Sequence, residues 1–207
     1  MPKLQISQGE SIPSVAKDHG FFWETLWDHP ENATLKDKRK NPNVLSEGDE
    51  VFVPEMELKE VTKPTDAKHK FKRKGDPLKF RLQLMMMGKP RKNEDYVLVV
   101  DGKQIQGKTD GEGKLEATIP GNATGGTIRL KGGKEEYPVR IGHLDPIDTV
   151  SGVKQRLNNL GFTCGSEDDS LDDGTKGALQ KFQTKFKLTA SGEPDDATKA
   201  KLAELHP

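Results

Sequence analysis

The sequence predicts a multidomain α+β chain: an N-terminal βααβ module over residues 1–57, a basic linker over 58–77, a central antiparallel β-sandwich over 78–143 and a C-terminal three-helix module over 144–207. Three observations lead there. An acidic, threonine-marked phrase running from Leu171 to Leu179 returns from Pro194 to Leu202, so one kind of helix start occurs twice in succession. Apolar residues between Leu78 and Ile141 alternate at period two between tight glycine turns. With 31% hydrophobic and 32% charged residues in 207, the chain is lean in core-forming side chains, which fits several small modules better than one large core.

At the N-terminal end, Gly9 to Gly20 reads as a turn, a short helix opened by Pro13 and a glycine stop. Phe21, Phe22, Trp23 and Trp27 form the densest aromatic cluster of the chain. Aromatic faces stack on sugar rings, but Trp23 and Trp27 at i, i+4 also make a helix-to-core stripe, and at least one of them is expected in the core. The stretch from Asp28 to Lys40 reads as a long charged linker. Asn41 to Pro54 then reads as a polar turn, a Gly48-Asp49 turn and a strand closing on Pro54.

From Leu58 to Asp76 periodicity disappears and Lys63, Lys68, Lys70, Lys72, Arg73 and Lys74 accumulate, a solvated connection without the interleaved aromatics of a base-stacking platform. Strand signals follow: Phe80, Leu82 and Leu84 alternate; Tyr96 to Val100 is β-rich and turns through Asp101-Gly102 into Lys103 to Lys108; Leu115, Ala117 and Ile119 alternate; Thr127 to Leu130 and Tyr137 to Ile141 complete the set. About six or seven short strands of this kind make an antiparallel sandwich. Met85-Met86-Met87 reads as core filling, with a sticky docking edge as the alternative.

In the C-terminal module one helix carries Val150, Val153, Leu157 and Leu160 on a single face and stops at Gly161; a second carries Leu179, Phe182 and Phe186; a third carries Leu202 and Leu205. Asp172 and Asp195 stand where side-chain oxygens accept from free backbone N–H groups, and negative charge there suits the helix dipole. Gly152 to Phe162, then Ala178-Leu179-Gln180-Lys181-Phe182-Gln183, then Leu188 with Ser191 to Thr198 resemble, in order, the peptidoglycan-binding family of three-helix modules. Asp172 stands where that family has a glycine. The resemblance implies peptidoglycan contacts around the two helix starts, from Asp172, Asp173, Thr175, Gln183, Asp195, Asp196 and Thr198.

Residues 3–55 resemble a LysM domain, a compact module that binds N-acetylglucosamine polymers, with Pro13 and the long charged linker as departures. That resemblance implies glycan contacts from Glu10, Ser11 and Ile12 and from Asn43, Val44 and Leu45. Lys108 to Leu115 looks like the hairpin of small Ig-like or carboxypeptidase-regulatory-like spacers. The order of parts is similar to small LysM plus peptidoglycan-binding proteins associated with contractile injection machines such as type VI secretion. It implies peptidoglycan as partner, with a secretion spike or a toxin as a second.

Composition and motifs exclude other classes. Lys plus Arg equal Asp plus Glu at 33 each, so net charge gives no reason for a nucleic-acid partner or membrane insertion. Cys164 stands alone, without an intramolecular disulfide, as a buried small residue or a reactive thiol. The N-terminus lacks an apolar h-region, so the expectation is synthesis in the cytoplasm without a signal peptide and, by the resemblance, export to the periplasm or a target cell by the injection machine. His19, His29, His69, His143 and His206 are scattered without zinc-ligand spacing. The acidic run Glu167 to Gly174 fails as a calcium loop, because Leu171 and Gln180 fall where oxygen ligands belong. Nucleophile elbow and phosphate loop are both missing. The expectation is a non-enzymatic tether with no catalytic residue, metal or cofactor, whose two weak sites gain avidity from being on one chain. A protein adaptor that has lost sugar binding and joins a spike, chaperone or toxin is the alternative.

Overall fold

A computed structural model covers the chain and describes residues 3–57, 60, 62–70, 78–86 and 89–206. The chain divides into two compact units, residues 1–43 with 47–142 and residues 44–46 with 143–207. Overall it is mixed helix and strand, with the C-terminal part helical. Lys72, Arg73 and Lys74 of the basic stretch, and Met87, lie outside the described residues, while Lys63, Lys68 and Lys70 are exposed and in no regular element.

In the first unit β1 (Lys3–Gln5) pairs antiparallel with β2 (Glu50–Phe52), bringing Leu4 opposite Val51. Between them run α1 (Ile12–Asp18), α2 (Trp23–Trp27), a 3₁₀ turn (Pro30–Asn32) and α3 (Ala33–Arg39). Pro13 sits in the first turn of α1, where no N–H is needed, and Ser11 and Ser14 cap each other reciprocally, Ser11 N donating to Ser14 Oγ at 2.8 Å. Trp27 enters the core and Trp23 stays half-buried.

The stretch expected as a charged linker is instead largely helical, which corrects the two-helix expectation. Tertiary bonds hold it. The Arg39 guanidinium grips Asp49 with Nε–Oδ2 at 2.6 Å and Nη2–Oδ1 at 2.9 Å, both side chains being buried. Asn32, also buried, behaves as a short extra strand: its Nδ2 donates to Leu26 O and Phe52 O, and its Oδ1 accepts from Phe52 N at 2.7 Å.

The strands of the sandwich are β3 (Leu78–Gln83), β4 (Met85–Met86), β5 (Lys89–Pro90), β6 (Asp95–Val100), β7 (Lys103–Lys108), β8 (Lys114–Ile119), β9 (Gly125–Leu130) and β10 (Glu135–Arg140). One antiparallel sheet has the order β10-β9-β6-β7, and β3 pairs antiparallel with β8. Leu98, Val100, Ile128 and Leu130 from the first and Leu115, Ala117 and Ile119 from the second share one apolar core, as strict alternation on each strand requires. The Asp101-Gly102 turn has both residues at positive φ, the geometry that matches strand twist. Gly107 is required by close approach, since a Cβ there would run into the Tyr96 ring.

Met85 and Met86 do not fill the core: they are 46% and 52% exposed, because β4 is a two-residue strand that, among the described residues, pairs only with β5. A buried ionic pin went unread in the sequence. Arg91 donates two 2.6 Å bonds to Glu94 and one of 2.7 Å to Glu135, and Lys131, with Arg91 second, brings the Glu135 pKa down to about 2.

The second unit is α4 (Val150–Asn159), α5 (Asp173–Lys185) and α6 (Asp196–Leu205) around Val153, Leu157, Cys164, Ala178, Leu179, Phe182 and Leu202. Phe162, Phe182 and Phe186 stack as a trio, the closest pair of ring centres 4.7 Å apart. Leu205, expected beside Leu202, is 37% exposed, since it closes the helix and the inner face one turn earlier is taken by Thr198 and Leu202.

Candidate functional site

Three side-chain oxygens start the three helices of the second unit. Thr149 Oγ1 accepts from Gly152 N at 3.0 Å, Asp172 Oδ1 from Thr175 N at 2.7 Å and Asp195 Oδ1 from Thr198 N at 2.8 Å. Gly152 has a further duty: the Pro146 carbonyl lies where its Cβ would be, so no larger residue fits the first turn of α4. The Asp172 and Asp195 carboxyls are both held below the usual carboxylate range, the first chiefly by the Thr175 N–H and the second chiefly by the Thr198 hydroxyl.

Each repeated start is tied down by the helix before it. At the first, the fully buried Lys154 of α4 sends Nζ to Asp168 Oδ1 at 2.8 Å and lies 3.7 Å from Asp172 Oδ2. Burial pulls the Lys154 pKa down, but Asp168 and Asp172 outweigh it, and the net shift is upward; Lys154, Ser170 and Ser166 together depress Asp168 strongly. At the second start, the fully buried Gln183 of α5 accepts from Gly192 N at 2.9 Å through Oε1. Its Nε2 donates to Glu193 O at 2.9 Å and Thr198 Oγ1 at 3.0 Å.

Two further polar side chains of α4 close the unit. Gln155 brackets Asp145, accepting from its backbone N at 2.6 Å and donating to its Oδ2 at 3.0 Å. Arg156 donates to the carbonyls of Asp145 and Gly152 at 2.8 and 2.9 Å, and burial brings its pKa down to about 10. Cys164 is buried against the same helix, Sγ donating to Lys154 O at 3.4 Å, and burial raises its thiol pKa. Lys154, Gln155 and Arg156 escaped the sequence reading. The signal was present: Lys154 follows Val153 and precedes Leu157 by three, inside the apolar stripe of its helix.

The residues expected to bind peptidoglycan therefore fall into two groups. Thr175, Gln183 and Thr198 are fully buried and face the unit's interior, whereas Asp172, Asp173, Asp195 and Asp196 are exposed at the helix starts. The residues expected to bind glycan in the first module divide likewise. Ser11, Ile12, Val44 and Leu45 are buried; Glu10 is half-buried, its Oε2 accepting from Ser7 N at 2.7 Å; Asn43 is exposed. Ile12 N donates to Pro42 O at 2.9 Å, which joins the turn before α1 to the stretch leading into Asn43.

The outer side of the second unit carries cations. Lys185 Nζ lies 5.3 Å from the centre of the Phe162 ring and Lys201 Nζ 5.7 Å from that of Phe186. A shallow open depression runs along α5, lined by Gly177, Gln180, Lys181, Thr184 and Lys185. Among the described residues no three His, Cys, Asp or Glu side chains come together as a set that would hold a metal ion. No helix among them is long and apolar enough to cross a membrane.

No curated protein and no solved structure matches the chain. The second unit is recognised: residues 148–202, from just before α4 into α6, match the family described as a putative peptidoglycan binding domain.

Proposed function

We propose that this protein is a non-enzymatic peptidoglycan-binding accessory or effector carrier of a contractile injection, type VI secretion-like system. The observation that carries the wall-binding part is the family match over residues 148–202, which spans nearly all of the second unit. An N-terminal LysM-like module supplies the second contact; what supports it is the antiparallel pairing of β1 with β2 around a run of short helices, together with the sequence resemblance. Two such sites on one chain raise avidity through effective concentration. On this reading the protein is made in the cytoplasm and delivered with a spike or toxin to the periplasm or a target cell.

Sedimentation of the full chain with purified sacculi tests the central claim. The chain pellets with the wall and releases no muropeptide. Muropeptide release would make it a hydrolase; a chain that stays in the supernatant yet is retained by a spike or toxin protein would make it an adaptor.

A further inference from the structure

The repeated phrase holds a discrepancy that the fold does not explain. Gly177, in the interior of α5, stands where the second copy has Ala200. A glycine there weakens a helix, and here no contact requires it: a Cβ at Gly177 meets nothing within 4 Å. Gly174, which matches Ala197, differs in this respect, since its Cβ would come within 3.3 Å of Asp172 Oδ1.

One turn on, the same face of α5 carries Lys181 and then Lys185, like charges at i, i+4, an arrangement that also destabilises a helix. Among the described residues neither has a carboxylate partner; Lys185 lies over phenyl rings. The second copy does the opposite, placing Glu204 at the position of Lys181 and pairing it with Lys201 at 2.9 Å. Gly177, Gln180, Lys181, Thr184 and Lys185 line one continuous depression.

We propose that this face of α5 is the subsite for the stem peptides of peptidoglycan, an inference that rests on the wall-binding reading. The peptide main chain crosses the helix at Gly177, where the missing side chain permits close approach. Lys181 and Lys185 pair with its carboxylates, which removes their mutual repulsion. The N-acetylated sugars are neutral and the lactyl carboxyl is taken up in the amide link to the peptide, so the anions of this polymer reside in the stems.

The test is retention of the full chain on purified sacculi freed of other wall polymers, native or with their carboxyls amidated by carbodiimide and an amine. Gly177→Leu, which improves helix propensity while filling the floor, weakens retention about tenfold. Lys181→Gln with Lys185→Gln weakens it about tenfold and flattens its salt dependence. Amidated sacculi retain the wild type as weakly as native sacculi retain the lysine double variant. Gly177→Ala raises the thermal midpoint while lowering retention, a combination that a purely structural glycine does not produce. Wild-type retention that ignores both variants, or amidation, overturns the subsite and leaves wall binding standing. Failure of the wild type to bind sacculi at all overturns both. Should Gly177→Leu lose helix by circular dichroism, the lysine double variant decides.

Discussion

The first and second copies of the repeated helix start share a backbone solution and differ in what anchors it. In both, an aspartate accepts from the N–H of a threonine three residues on, at 2.7 Å for Asp172 and 2.8 Å for Asp195. Behind the first stands an ammonium, Lys154, facing Asp168 and Asp172; behind the second stands a neutral amide, Gln183, holding Gly192, Glu193 and Thr198. Neither anchor belongs to the repeat. Each is supplied by the preceding helix, so the phrase encodes the cap, and the sequence outside it decides whether the cap is held by charge or by neutral hydrogen bonds.

That difference has energetic consequences. An amide buried with every bond made leaves its partners stranded when removed, so Gln183→Leu is expected to destabilise the second unit by about 3 kcal/mol. Hydrogen exchange at α5 and α6 and the denaturant midpoint of the full chain measure it. Lys154→Met keeps the buried stem and deletes the cation along with its desolvation penalty, while its acidic partners remain about half exposed to water. The change expected is less than about 1 kcal/mol. A larger loss from Lys154→Met than from Gln183→Leu would break the comparison.

How much of this was legible follows the range of the interactions. Capping is local, so Asp172 and Asp195 announced both helix starts from the chain alone. Alternation marked Leu115, Ala117 and Ile119, and all three lie in the sandwich core. The helix Ala33–Arg39 was illegible because it buries only Leu35 and is held by the Asn32–Phe52 and Arg39–Asp49 bonds, each joining residues at least ten apart. Lys154 was legible by half: its place in the apolar stripe marks it for burial, but the acidic partners that let a lysine be buried lie fourteen or more residues away. Among the candidate site residues, Thr175, Gln183 and Thr198 are motif members whose burial only the fold discloses, since a motif marks what a module needs to fold as readily as what it binds.

Acid sharpens the contrast further. Asp168 and Asp172 have folded-state pKa values below their ordinary range, so their contribution is complete above about pH 4 and is lost as pH falls through the depressed values. Lys154 is the largest cause at Asp168. Lys154→Met should therefore show its full deficit relative to wild type near neutrality and converge with it in acid, whereas the Gln183→Leu deficit, arising from neutral bonds, persists across the same range. Thermal midpoints from pH 7 to about pH 2 read this directly. Parallel curves for Lys154→Met and wild type would remove the ionic account of the first start.

The smallest effect isolates the charge itself. Asparagine caps a helix about as well as aspartate, so Asp172→Asn and Asp195→Asn keep the bond to the N–H and lose only charge. At Asp195 that charge meets the helix dipole and the neutral Thr198 and Ser191 hydroxyls; at Asp172 it meets the dipole and a cation, Lys154 Nζ at 3.7 Å. Both variants lower the thermal midpoint slightly at low ionic strength, Asp172→Asn more than Asp195→Asn. Because both carboxylates are exposed, salt near 1 M, where the screening length is about 3 Å, should shrink the gap between them. A gap that survives high salt would mean that Asp172 acts through geometry, and that Lys154 holds the first start through Asp168 alone.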